Sequence, residues 1–181
     1  MATLLDNRVH HAENPAIAAL SRLRPTPLDR NELAAVVAGL ADDPGNWLGI
    51  VRHDPDRRWW TRLISTDLVD AWLITWPGRQ ATDLHDHGPS AAALTVVQGT
   101  LEHVLASRGG GLSRERFSVG TLLSVEPWAV HDVGNPTASP AVSIHAYSPP
   151  LSQMTFFRRD ATGLQPVHTT QGDEPELEQP W

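Results

Sequence analysis

The stretch "LHDHGPSAAALTVVQGTLEHVLAS", residues 84–107, carries two signals from which the rest of the chain can be read. From Ala92 onward it is rich in Leu, Val and Thr and is broken once, by Gly99. That composition belongs to strands rather than to a helix, and "QGT" at Gly99 predicts a hairpin turn. The first part sets His85 and His87 two positions apart. Side chains at i and i+2 of a strand share a face, so the spacing predicts both imidazoles turned inward and Asp86 turned away. Two imidazoles so placed can share a metal ion or can be incidental loop residues, and the pair alone does not decide.

Outward from this stretch the same strand pattern recurs. "WWTRLIS" (59–65), "VDAWLITWP" (69–77), "LSRERFSVG" (112–120), "TLLSVEP" (121–127), "HDVGNP" (131–136), "PAVSIHAYS" (140–148) and "MTFFRRD" (154–160) are short, β-branched or aromatic, and punctuated by Gly, Pro, Asn and Asp. They predict a mainly β chain folded as an antiparallel sandwich or barrel. "RGGG" (108–111) has no phosphate-loop context and reads as a hairpin turn.

Upstream the period is helical. "PLDRNELAAVVAGLADDPG" (27–45) has Asp29 and Glu32 spaced as a capping box, then a stripe of Leu33, Val36, Val37 and Leu40, and ends at Pro44-Gly45. "PAIAALSRLRP" (15–25) predicts a shorter helix, and residues 1–15 read as poorly ordered. The expected organisation is one domain: a helical segment over 1–45 packed on a barrel over 46–165, then a polar tail over 166–181 that is extended or disordered.

Composition excludes several classes. The 181 residues carry 14 Lys+Arg against 21 Asp+Glu, a net charge of −7, with none of the basic stripe that nucleic-acid binding needs. There is no cysteine, hence no disulfide, thiolate ligand or cysteine nucleophile. No apolar stretch approaches a membrane span, and the N-terminus lacks a signal-peptide pattern. A cytoplasmic monomer is expected, with no nucleic-acid or membrane partner.

Two further motifs bear on the histidine pair. "GTLLSVEPWAVHDVGN" (120–135) places a glycine and a proline ahead of His131 and Asn135, and Gly78 lies upstream of His85. This two-part layout resembles the cupin family. There a first motif supplies two histidines and usually a glutamate, and a second motif supplies a third histidine. The glutamate position falls at Ala92, which leaves His85, His87 and His131. Three neutral imidazoles leave a divalent ion with its full charge, a setting that favours an anionic ligand such as a thiolate, which suits iron. In "PAVSIHAYS", Ser143, His145 and Tyr147 alternate with Val142, Ile144 and Ala146. A polar row turned into a barrel is costly unless its members are hydrogen-bonded, and Tyr147 is the only tyrosine.

Together, "HDHGPSAAALTVVQGTLEHVL", "VSIHAYSPPL" and "WWTR" are similar to the cysteine dioxygenase family of thiol dioxygenases, of the bacterial type. The resemblance spans roughly residues 25–160. It implies a cupin double-stranded β-helix with N-terminal helices. It also implies an Fe(II) centre on His85, His87 and His131, and oxidation of L-cysteine to its sulfinate with dioxygen. It gives Arg62 the substrate carboxylate, and Tyr147, oriented by His145 and Ser143, substrate positioning and proton supply. Animal members carry a cysteine at the position of Ala92, cross-linked to the tyrosine; no such link can form here. Members that prefer 3-mercaptopropionate tend to carry glutamine in place of Arg62. That acid, or a non-catalytic metal- or ligand-binding cupin, is the alternative. Arg79 is a rival anion binder. His10, His11, His53, His103 and His168 show no partner pattern and read as solvated; Trp59, Trp60, Trp72, Trp76 and Trp128 read as core or pocket wall.

Overall fold

The computed structural model describes residues 26–172. The helix expected over 15–25, the N-terminal residues and the end of the tail lie outside the described residues.

Among the described residues one α-helix precedes the strands: α1, Arg30–Asp42. Its start is built as the sequence indicates. Asp29 accepts from the amides of Asn31 and Glu32, both at 2.9 Å, and Glu32 accepts the Asp29 amide at 2.9 Å. A cap of this kind contributes about 1 kcal/mol. Pro44 ends the helix, and a 3-10 turn, Pro44–Asn46, follows. Leu33, Val37 and Leu40 are buried against the first sheet, while Val36 is half-buried at the edge of the stripe.

The strands are β1 (Trp59–Ser65), β2 (Asp70–Trp76), β3 (His85–Asp86), β4 (Ala91–Gln98), β5 (Thr100–Ala106), β6 (Leu112–Ser118), β7 (Leu122–Val125), β8 (His131–Gly134), β9 (Ala141–Ser148), β10 (Gln153–Asp160) and β11 (Gly163–Gln171). They form two antiparallel sheets, ordered β1-β2-β9-β4-β7 and β11-β10-β3-β8-β5-β6. The inner faces of both sheets share one core, with Trp76, Leu94 and Tyr147 from the first and Leu101, Val133 and Phe156 from the second. The outer face of the first sheet carries Leu73, Ala93, Val142, Ile144 and Ala146 beneath α1. This explains why β2 and β9 are buried along their whole length. Ser148 ties the layers together: its Oγ accepts the Leu28 amide at 2.8 Å and donates to the Leu68 carbonyl at 2.6 Å.

The structure corrects two expectations. Gly99 is not in a hairpin turn, because β4 and β5 belong to different sheets and the chain crosses between them there. Its φ is +81°, and a Cβ would sit 2.9 Å from the Cβ of Ala141, so the corner requires glycine. The boundary at 165 cuts through a strand: residues 166–171 are not a separate tail but the second half of β11, paired with β10. "PVHTTQ" is polar because β11 is an edge strand, and Thr155 bonds Thr169 across the pair at 3.0 Å. "RGGG" does close a hairpin, between β5 and β6.

Candidate metal centre and adjoining pocket

The register of the second sheet brings the three histidines together. His85 pairs directly with His131 across β3 and β8, and His87 follows one position past the end of β3. All three are buried. Their Nε2 atoms converge: His85 to His87 at 3.2 Å, and His87 to His131 at 3.3 Å. Asp86, on the alternate face, is also buried and accepts the Gly88 amide at 2.9 Å, closing the turn that follows.

The protonation of this cluster follows from its surroundings. Burial pushes His85 down to about 4 and holds His87 and His131 well below the usual histidine range, with the neighbouring imidazoles adding to the effect. The rings are therefore neutral, the form that ligates a metal. His85 Nδ1 lies 2.8 Å from the Asp83 carbonyl. A carbonyl only accepts, so the proton is on Nδ1 and the Nε2 lone pair faces the cluster. Lone pairs held this close repel unless a cation lies between them. Nitrogens about 2.0–2.1 Å from a common ion stand roughly 3.0–3.4 Å apart, so the residues present fit a metal. The first sheet supplies no carboxylate to the cluster: Ala92 stands where that ligand would come from.

The pocket beside the cluster belongs to the first sheet. Arg62 of β1 pairs with Trp72 of β2, and Trp72 with His145 of β9, so the three share one inward row. The next row sets Tyr147 between Asp70 and Ala92. Tyr147 turns its ring edge-on to His87, with centroids 4.8 Å apart at 79°, and so joins the two sheets' contributions. His145 is buried, and burial pushes it down to about 3. Trp76 Nε1 donates to Ser143 Oγ at 2.8 Å, and Ser143 Oγ lies 2.8 Å from His145 Nε2. The indole, the hydroxyl and the imidazole thus form one buried hydrogen-bonded chain.

Arg62 is half-buried, with its guanidinium carbon 4.3 Å from the centroid of the Trp72 ring, a cation–π arrangement. The Trp72 indole is itself fixed, because its Nε1 donates to Asp70 Oδ2 at 3.0 Å. Burial raises the Asp70 carboxyl to about 6, opposed by the Trp72 and Leu151 hydrogen bonds and by the Arg62 charge. Arg79 is exposed, with φ +67°, and lines a groove with Glu102, Arg114 and Asp132 on the outer face of the second sheet. The structure thus turns Arg62, not Arg79, toward the row that holds His145.

Sequence reasoning missed three features. His103 is not solvated: it is 5% exposed, and its Nε2 lies 3.1 Å from Nδ1 of His131. The parity it shares with Leu101, which is buried, was the available signal. Asp70 shares parity with Trp72 and Trp76 and so faces inward with them. Trp128 is not core but 60% exposed, with φ +62° and its amide bonded to the Gly88 carbonyl at 2.9 Å. His53 is exposed, and His168 is half-buried and stacks on Phe156 at 4.6 Å. His10 and His11 lie outside the described residues.

Comparison with known proteins gives a consistent picture. A profile of the family described as cysteine dioxygenase type I matches residues 14–160. Cysteine dioxygenase type 1 of Bos taurus is 25% identical over 138 residues, covering 70% of this chain and 68% of its own. The crystal structure of TT1209 from Thermus thermophilus superposes with a TM-score of 0.51 at 19% identity, over 56% of this chain and 92% of its own. Recombinant oxalate oxidase in complex with glycolate gives a TM-score of 0.50 at 14% identity, over 57% of this chain and 56% of its own. The structural likenesses show the fold alone, the mainly β double-stranded β-helix of the cupins. No helix among the described residues is long and apolar enough to cross a membrane.

Proposed function

Because the chain belongs to the cysteine dioxygenase type I family, we propose that it is an iron(II)-dependent thiol dioxygenase that oxidises L-cysteine to cysteine sulfinate. The observation that carries this reading is the cluster of three neutral imidazoles, without a carboxylate, facing Tyr147. The donor set by itself suits several transition metals; family membership favours iron among them.

The reaction adds both atoms of dioxygen to sulfur. The thiol loses its proton, sulfur gives up four electrons, dioxygen takes them, and the product is the sulfinate anion. Bound iron would supply the redox chemistry that lets dioxygen and thiolate combine. The protein's part is to hold the reactants. His85, His87 and His131 would hold the ion, and Tyr147, edge-on to His87, would stand beside the substrate. Arg62, braced on Trp72, takes the substrate carboxylate through its planar fork of donors. Tyr147 donates its hydroxyl proton in a hydrogen bond to that carboxylate or to dioxygen, and the Ser143–His145 pair restrains where it points. The buried walls exclude water from the thiolate.

Arg62→Ala tests the substrate assignment. A charge-assisted contact is worth about 1.5–3 kcal/mol, so kcat/KM for cysteine should fall roughly 10- to 100-fold. Cysteamine, which lacks the carboxylate, should be affected far less. Equal losses on the two thiols would remove Arg62 from substrate recognition.

A further inference from the structure

Resting on the reading that His85, His87 and His131 hold the metal, we propose that His103 is a positioning residue of that centre. It accepts a hydrogen bond from Nδ1–H of His131 and so fixes the tautomer that turns His131 Nε2 to the ion.

The geometry leaves little freedom. His131 presents Nε2 to the cluster, 3.3 Å from His87 Nε2. A neutral imidazole carries one N–H, and the nitrogen that gives its lone pair to an ion cannot be the one that carries it. The proton of His131 is therefore on Nδ1. A buried N–H needs an acceptor, and His103 Nε2 stands 3.1 Å away, with the two rings at 63°. Acceptance at Nε2 assigns the proton of His103 to its own Nδ1. That atom faces Glu115 on β6, whose Oε1 lies 3.6 Å away and whose position pairs with His103 across the strands. The row Glu115, His103, His131 thus has one direction: His103 accepts from His131, and the Glu115 carboxylate beyond it, 3.6 Å from His103 Nδ1, favours the proton on that nitrogen.

His103 is not a fourth ligand. It meets His131 at Nδ1, on the far side of the ring from the converging Nε2 atoms. The arrangement also differs from that of His85, which is oriented by a backbone carbonyl that no substitution removes. At His131 the same duty falls to a side chain, so metal affinity here depends on a residue that never touches the ion. Groups in this relation to a ligand histidine typically change metal affinity about 10- to 100-fold when lost.

The test uses metal-free full-length protein titrated with Co(II), and anaerobically with Fe(II), with no thiol present. His103→Leu keeps an apolar body in the space and removes the acceptor. His103→Gln supplies an amide oxygen in its place. The expected result is binding about 10- to 100-fold weaker in His103→Leu, with shifted Co(II) visible bands, and recovery of most of that affinity in His103→Gln. Wild-type affinity in His103→Leu would overturn the proposal. So would equal losses in both variants, the outcome of a packing role. A second measurement needs no variant: 15N NMR of the Zn(II)-loaded wild type should find Nδ1 protonated on both His131 and His103, and an unprotonated His131 Nδ1 would overturn the assignment. Because no thiol enters these experiments, their outcome is separate from whether the protein oxidises cysteine.

Discussion

Alanine at His85, His87 or His131 should strip the protein of iron, leaving on the order of a tenth or less of the wild-type content after purification. The expectation follows from the number of donors. With only three protein ligands, removal of one leaves two, and among the described residues no carboxylate is grouped with them. His87 is the most exposed to this argument, since its Nε2 stands within 3.2 Å and 3.3 Å of the other two. Metal analysis by mass spectrometry checks it, alongside circular dichroism to show that the strands persist. Truncation at any of these positions relieves the crowding of the converging Nε2 atoms, so the metal-free fold is expected to survive. Full iron content in all three variants would mean that the ion binds elsewhere.

Tyr147→Phe should lower turnover about 100-fold while iron stays bound, the scale of losing one positioned proton donor. The phenol is no ligand; it meets His87 only edge-on. In relatives with a cysteine at the position of Ala92 a covalent bond holds the tyrosine. Here Ala92 pairs with Tyr147 across β4 and β9 and offers only a methyl group. Orientation then falls to hydrogen bonds and packing, and the adjoining Ser143 and His145 are hydrogen-bonded to each other and to the Trp76 indole. His145→Ala should therefore approach the damage of Tyr147→Phe, and the double variant should be little worse than either alone, as for residues that act as a unit. Steady-state kinetics on the four proteins decide this. Multiplying losses would show independent roles, and an unchanged rate in Tyr147→Phe would exclude the phenol from the reaction.

What could be read from the sequence was local. The capping box at Asp29 and Glu32 depends on residues three apart, and β1 runs over Trp59–Ser65 as the aromatic, β-branched run predicts. The inward alternation of Ser143, His145 and Tyr147 is a property of one strand. What escaped depends on distant chain. Gly99 reads as a hairpin whether β4 and β5 pair or part, and only the positions of β9 and β8 decide that they join different sheets. His103 has inward parity, but its burial comes from β6 and β8 on either side, and its meaning comes from His131. β11 is polar because it is an edge, so composition alone makes it look like a tail. Trp128 is large and apolar, yet it sits in a left-handed backbone conformation of its own, its amide bonded to the Gly88 carbonyl, and is exposed.

In the proposed reaction both atoms of dioxygen are joined to the sulfur of a small thiol. The most direct measurement supplies the iron-loaded protein with L-cysteine under isotopically labelled dioxygen in ordinary water, and analyses the product by mass spectrometry. The expected product is cysteine sulfinate carrying label in both of its oxygens, formed in step with oxygen consumed. Cystine as the product, or sulfinate whose oxygen comes from water, would contradict it.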